Sequence, residues 1–564
     1  MFQRSEDKRI RVIMVMRKLR KFIICISALI ILCAGCRSGL PVSAPPLEQV
    51  PVLHQDYLKS AHYFGDGWAV NFWNCELDRI NQQLDRIAAD GFNSIILVLP
   101  WREFQPEIRG GQLNDYAADQ LRLVLEKAGE RNLGVMLRMG YTWDYYEADS
   151  VLPRYYSLMG DPAYEDAWLS YLDQVYRIAS AYDCFLGGFL CWEDFWNYTY
   201  TAKALGAEKL GAEEGAFIGY HRYLEERYPL EQVNEWYGEN FTDYSQVWFP
   251  SQESPALKLF FDFYDDYLNR LLAESQNVFP NLSMEVRLDA DLAADRKGNS
   301  YYYGHEATYG CQTADYTAVM YGIPMGFANQ GERVSCEEAM AMTGTILSGL
   351  LEKNQGKDVY IDQFLYADNT PGYENNAQIR EDQLNDYLER VHPILAEKTM
   401  GYGVWTYQDY GVDLLYNPQF ALGLAGWETE GEVRAAKENG SMQARLEAGA
   451  LIRQNIPPGR KTDTGEERIY VTGQYSCESE TALTVTLGQE EPVTVSCKPG
   501  QNVSWQLDFS NTKDYTLTIQ SGGTVYIDNL KVYAHVQNGM LYDMDGREGG
   551  CIKSLRMLNR ELGR

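Results

Sequence analysis

Two pattern changes along the chain predict an α/β fold, a (β/α)8 TIM barrel followed by an all-β jelly-roll-like sandwich. From about 60 to 410, short continuous apolar runs alternate with amphipathic helical stretches. That alternation marks a parallel sheet buried on both faces. Eight such units fit a closed barrel, which needs about 250 residues before insertions. After Asn417 the apolar runs shorten, alternate with polar residues and are separated by turn residues, the signature of antiparallel β structure.

Taken in order, "WAVNFWN" (68–74) reads as the first strand. The next stretch places Leu77, Ile80, Leu84, Ile87 and Ala88 on one helical face, and Gly91 ends it. "NSIILVLPW" (93–101) is the second strand, and Leu121, Val124, Leu125 and Ala128 mark its helix. "GVMLRMGY" (134–141) is the third, followed by a helix facing inward through Trp168, Leu172, Val175 and Ala179. "CFLGGFLCWED" (184–194) is the fourth. "LSMEVRLDA" (282–290), "DYTAVMYGI" (315–323), "DVYIDQFLY" (358–366) and "GYGVWTYQD" (401–409) complete eight. The link 291–314 carries no helical pattern, so one repeat is expected to be irregular.

These runs divide the chain into a barrel over 60–415, with a helical insertion at 195–281, and a sandwich over 416–535. A tail at 536–564 has several charges and no strong pattern. Ahead of the barrel, a basic "MRKLRK" (16–21), an apolar "FIICISALIIL" (22–32) and "CAGC" (33–36) form a secretory signal pattern over 1–36. A Pro-containing linker (37–59) follows. The signal resembles that of a bacterial lipoprotein. The resemblance implies lipidation at Cys36 and an extracytoplasmic body held at the cell membrane. An uncleaved N-terminal anchor would place the body on the same side.

The net charge of −29 over 564 residues argues against nucleic acid or anionic lipid head groups as partners beyond the basic first residues. Of the eleven cysteines three lie in the signal; the other eight are scattered without a CxxC pair, and with six unclustered histidines they indicate neither a metal site nor a dense disulfide framework. No cofactor is expected.

Catalytic residues of such barrels come from the C-terminal ends of the strands. That position picks out Trp101, Arg102 and Glu103, Arg138 and Tyr141, Trp192 and Glu193, Arg287 and Asp289, Tyr321, Asp362, Gln363 and Asp368, and Trp405 with Asp409. The set is acidic and aromatic. Sugars stack their C–H faces on aromatic rings and bond their hydroxyls to carboxylates and arginine. Cleaving a glycosidic bond needs one carboxyl to protonate the leaving oxygen and a second to attack the anomeric carbon or activate water.

The order of elements looks like the clan A glycoside hydrolases. "LPWREFQPEIRGGQLND" (99–115) and "PLEQVNEWYGENFTDYSQVWFP" (229–250) are similar to segments of family 42 and related, family 5-like enzymes. The resemblance spans about 60–415. It implies a glycoside hydrolase acting on a poly- or oligosaccharide, with the acid/base Glu ending strand four and a nucleophile Glu ending strand seven. Glu193 matches the first, with Trp192 where the clan has Asn. Strand seven departs from the pattern: Gln363 falls at the nucleophile position, and Asp362 is one residue away on the opposite face. Asp368 and Glu332 are further candidates. Trp101, Arg138, Tyr141, Trp192, Arg287, Tyr321, Gln363 and Trp405 are the expected substrate contacts. The alternative reading is a glycan-binding surface protein without turnover. "YNPQFALGLAGWETEG" (416–431) and "VYIDNLKVY" (525–533) resemble the opening and close of carbohydrate-binding modules, with Trp427 as a core residue or a sugar platform.

Overall fold

The computed structural model describes residues 56–140, 151–191, 212–250, 254–286, 292–305, 313–322, 328–367, 375–438, 440–456, 468–510, 516–536 and 541–563. Eight parallel strands close into a barrel: β1 (Leu58–His62), β2 (Ser94–Leu99), β3 (Gly134–Met139), β4 (Phe185–Leu190), β5 (Ser283–Val286), β6 (Tyr316–Gly322), β7 (Asp358–Leu365) and β8 (Gly401–Val404). Neighbours in sequence are neighbours in the barrel, and β8 pairs with β1 through Leu58↔Gly401 and Ser60↔Gly403. Helices α1 (Ile80–Ala89), α2 (Asp115–Gly129) and α3 (Pro162–Ala179) follow the first three strands, and α4 (Leu257–Ser275) precedes β5. After β6 comes α5 (Cys336–Lys353), and after β7 comes α6 (Leu384–Arg390). Between β5 and β6 stands a short antiparallel hairpin, Leu292–Ala294 with Ser300–Tyr302, as the absent helical pattern implied.

Seven of the eight expected strands fall where the apolar runs place them; the first does not. "WAVNFWN" forms a turn and the short 3-10 helix Phe72–Asn74. Its aromatics are buried, and the Trp73 indole donates to the Val98 carbonyl at 2.7 Å. An apolar run reports burial and not pairing. The true β1, "LKSAH", alternates Leu58, Ser60 and His62, and it begins within the segment assigned to the linker.

The barrel interior is filled in layers. Leu58, Ile96, Met136, Leu186, Phe189, Tyr316, Ala318 and Tyr360 form its apolar floor. Above them the Tyr360 hydroxyl donates to Ser60 at 2.7 Å, and Ser60 meets Ser94 at 2.6 Å.

The tail also differs from its expected patternless character. Residues Ile552–Glu561 form a helix, α7, with Ile552, Leu555 and Leu558 buried. Asn559 accepts from the Tyr402 hydroxyl of β8 at 2.6 Å and donates to the Asp90 carbonyl at the end of α1 at 3.0 Å. Ser554 donates to Glu389 of α6 at 2.9 Å. Helix α7 therefore lies over β8 between α6 and α1, the place of the eighth helix of the ring. The sandwich is inserted between β8 and this helix.

The sandwich has two antiparallel sheets. One joins Val433–Glu438, Ser441–Leu446, Val525–Val536, Arg468–Cys477 and Gly500–Ser510, with Tyr410–Asp413 paired to Val525–Val536. The other joins Glu428–Glu430, Leu451–Gln454, Leu517–Ser521, Thr481–Leu487 and Val493–Cys497. Trp427 is a core residue: its ring packs on Phe420 and donates to the Asn417 carbonyl at 3.1 Å.

Within the first sheet Asp528 is buried and accepts from the Ser441 hydroxyl at 2.5 Å. Burial pushes its carboxyl up to about 6. A raised acid favours the folded state when protonated. Its contribution is full below about pH 4 and is lost as pH rises through 6. Asp528→Asn removes this titration. The Tm advantage of D528N over wild type is expected to grow from near zero at pH 4 to several degrees at pH 7 in thermal melts. An advantage independent of pH would contradict the assignment.

Candidate active site

The C-terminal end of the barrel interior holds a cluster of charged side chains with no solvent exposure. Arg138 of β3 donates through Nε to Glu285 Oε2 of β5 at 3.1 Å, and its Nη2 lies 3.1 Å from the same oxygen. The same Nε is 3.9 Å from Asp362 Oδ2 of β7. All three side chains are wholly enclosed. Buried charges persist where they are paired, because an unpaired ion there costs several kcal/mol.

Asp362 lies two residues beyond the inward-facing Tyr360, so strand alternation turns it to the interior, and the register changes directly after it. Along β6, Ile361 pairs with Val319 and Gln363 with Met320, so Asp362 is skipped. Along β8, Ile361 pairs with Tyr402 and Phe364 with Val404, setting Asp362 and Gln363 against Gly403 alone. This is a β-bulge, which re-aims side chains beside active sites. Asp362, on the face set by Tyr360, is the neighbour that meets Arg138. Gly403 is required opposite it, since a Cβ there would lie 2.7 Å from the Asp362 carbonyl oxygen and 2.3 Å from Ile96 Cδ1.

An aromatic wall completes the end formed by β1 and β8. The Trp405 ring meets His62 at 4.9 Å, Phe64 at 5.5 Å and Trp68 at 5.7 Å, and Trp68 stacks on Tyr410 at 5.1 Å. His62 shares its Nδ1 with the Val404 carbonyl at 3.2 Å. Burial, then the Arg138 charge, pushes its imidazole well below the usual range, so it is neutral at pH 7.

The expected site residues divide. Arg138, Asp362 and Trp405 stand at this end of the interior, and Gln363 is buried next to Asp362. Trp101 is fully enclosed: it packs edge-on against Trp168, lies under Arg154 and donates to Gln105, so it offers a sugar no ring face. Arg102 lies over the Tyr416 ring and Glu103 bonds Asn74, both away from the cluster. Glu332 is exposed and accepts from Asn329. Glu193, Trp192, Tyr141, Arg287, Asp289, Asp368 and Cys36 lie outside the described residues. Tyr321 belongs to β6, and its side chain lies outside them too. Among the described residues no group of His, Cys, Asp and Glu could hold a metal ion.

Two members of the cluster escaped the sequence reading. His62 was hidden by the misplaced first strand. Glu285 follows Ser283 at a spacing of two inside the buried strand β5, a polar alternation that could have found it.

No protein-family model matches the chain, and a search of curated sequences finds no relative. Solved structures with a similar course include a GH5_18 protein from Streptomyces cattleya in complex with GlcNAc. It is 15% identical, over 63% of this chain and 72% of that one, with a TM-score of 0.38. The exo-beta-1,4-mannosidase Op5Man5 from an Opitutaceae bacterium is 13% identical over 63% and 53%, at 0.39. The beta-glycosidase BGL167 is 17% identical over 63% and 88%, at 0.38. At these scores the neighbours add nothing to a barrel that its own strand pairing defines.

Proposed function

We propose that the chain is a glycoside hydrolase that cleaves O-glycosidic bonds of a poly- or oligosaccharide with retention of configuration, tethered outside the cell through Cys36. The observation that carries this reading is the Asp362 carboxylate, at a bulge near the end of β7 and 3.9 Å from Arg138 inside the barrel. Its neighbouring guanidinium favours the anion that a nucleophile must be.

In the first step Asp362 attacks the anomeric carbon, and the bond to the leaving oxygen breaks as Glu193 donates a proton to it. In the second, Glu193 takes a proton from water, the water oxygen bonds the anomeric carbon, and the Asp362 ester is released. Retention requires the two carboxyls to lie about 5–5.5 Å apart. The aromatic wall around Trp405 would stack the sugar.

The test is release of reducing ends from a panel of plant and microbial polysaccharides and 4-nitrophenyl glycosides. Wild type is expected to turn over at least one, and Glu193→Gln to lower kcat on substrates with poor leaving groups by about 10²–10⁴-fold. Glycan binding without any reducing-end release would favour the non-catalytic reading. Equal turnover by wild type and the Glu193 variant would remove Glu193 from its role.

A further inference from the structure

We propose that Glu285 is a positioning residue that acts through Arg138 to set the placement and charge of Asp362; this rests on the hydrolytic reading above. The geometry divides one guanidinium between two carboxylates. Arg138 reaches Glu285 Oε2 with both Nε and Nη2 at 3.1 Å, while its Nε lies 3.9 Å from Asp362. Glu285 therefore holds the guanidinium in the closer contact, and Asp362 receives its charge at longer range. Because β3 and β5 are rigid barrel strands separated by β4, the pair fixes the guanidinium from both sides.

This arrangement suits a nucleophile better than a direct ion pair would. A carboxylate in close contact with guanidinium is stabilised as an anion but loses reactivity, since its lone pairs are engaged. At 3.9 Å the charge still favours ionisation without a direct hydrogen bond from Arg138 to the Asp362 oxygens. Among the described residues, Arg138 on β3 and Tyr360 on its own strand act on Asp362 directly, and Glu285 on β5 and His62 on β1 face Arg138. His62 is neutral at pH 7, and burial pushes Tyr360 upward, so it too is neutral. Of these four groups, the Arg138–Glu285 pair carries the charge that acts on Asp362.

The variant that isolates this role is Glu285→Gln. It removes one negative charge at nearly constant volume and frees the guanidinium to move toward Asp362. With a 2,4-dinitrophenyl glycoside of whichever sugar wild type cleaves, leaving-group protonation is not needed, and kcat/KM reports the step made by the nucleophile. The acidic limb of kcat/KM against pH is expected to move down by about one pH unit. Misplacement of the attacking oxygen is expected to lower kcat about 10²-fold, with KM little changed. If E285Q does not fold, the double variant Arg138→Met with Glu285→Leu replaces the pair by apolar groups, an exchange that buried ion pairs often tolerate. In it the acidic limb is expected to move upward, because Asp362 then ionises in an apolar site without a cation.

An acidic limb unchanged in the folded variant overturns the proposal, whatever happens to Tm, since a purely structural pair would alter stability alone. Absence of turnover by wild type on every substrate tested would instead overturn the hydrolytic reading on which it stands.

Discussion

Asp362→Asn is expected to lower kcat on the order of 10⁴-fold, the scale seen when a covalent nucleophile is removed. The amide keeps the size of the side chain and cannot form the ester intermediate. Its polar atoms still meet Arg138, so the barrel is expected to stay folded, which circular dichroism checks. Asp362→Ala supplies a second readout. It opens space on the anomeric face, and added azide is expected to restore part of the turnover of an activated glycoside. The product would be a glycosyl azide of inverted configuration, identified by NMR. Near wild-type activity in either variant would move the nucleophile elsewhere.

The second large effect is structural. Deleting residues 541–564 is expected to prevent cooperative folding of the barrel. Helix α7 covers the outer face of β8, and its loss would expose the apolar surface beneath Ile552, Leu555 and Leu558, each worth about 1.5–3 kcal/mol of burial. It would also strip Asp90. That buried carboxylate accepts from Tyr407 at 2.6 Å, Tyr542 at 2.9 Å and Arg556 at 2.7 Å, and the last two would go. Leaving a buried charge short of its ion partner costs about 3–5 kcal/mol. The sum reaches about 7.5–14 kcal/mol, comparable with the whole stability of a typical domain. Loss of soluble, cooperatively melting protein on truncation supports this account; a truncated chain that melts like wild type contradicts it. Leu555→Ala gives a graded version, with a cost of about 2–5 kcal/mol.

The barrel was legible because seven strands announce themselves as buried runs at the expected spacing. The first strand was not, because "LKSAH" is short and half polar while the aromatic "WAVNFWN" beside it is buried as a plug. The eighth helix was not, because it comes after the whole sandwich and no local pattern ties residue 559 to residue 402. Strand ends pointed to Arg138 and Asp362, which the structure encloses 3.9 Å apart in the barrel interior. The choice between Asp362 and Gln363 stayed open because a bulge breaks the two-residue alternation, and hydrogen-bond register is a property of the neighbouring strands. Trp101 was misjudged for a related reason: standing after a strand places a side chain near the rim, but the packing of α3 against it through Trp168 encloses the ring.

The central claim is that Asp362 forms a bond to sugar carbon. The most direct measurement is peptide mass spectrometry after exposure to a slow 2-deoxy-2-fluoroglycosyl fluoride of the cleaved sugar. The account predicts a single added fluoroglycosyl mass on the peptide carrying Asp362, absent from the Asp362→Asn protein. A label on another carboxylate, or steady turnover of natural substrate with inverted product and no label at all, would contradict it.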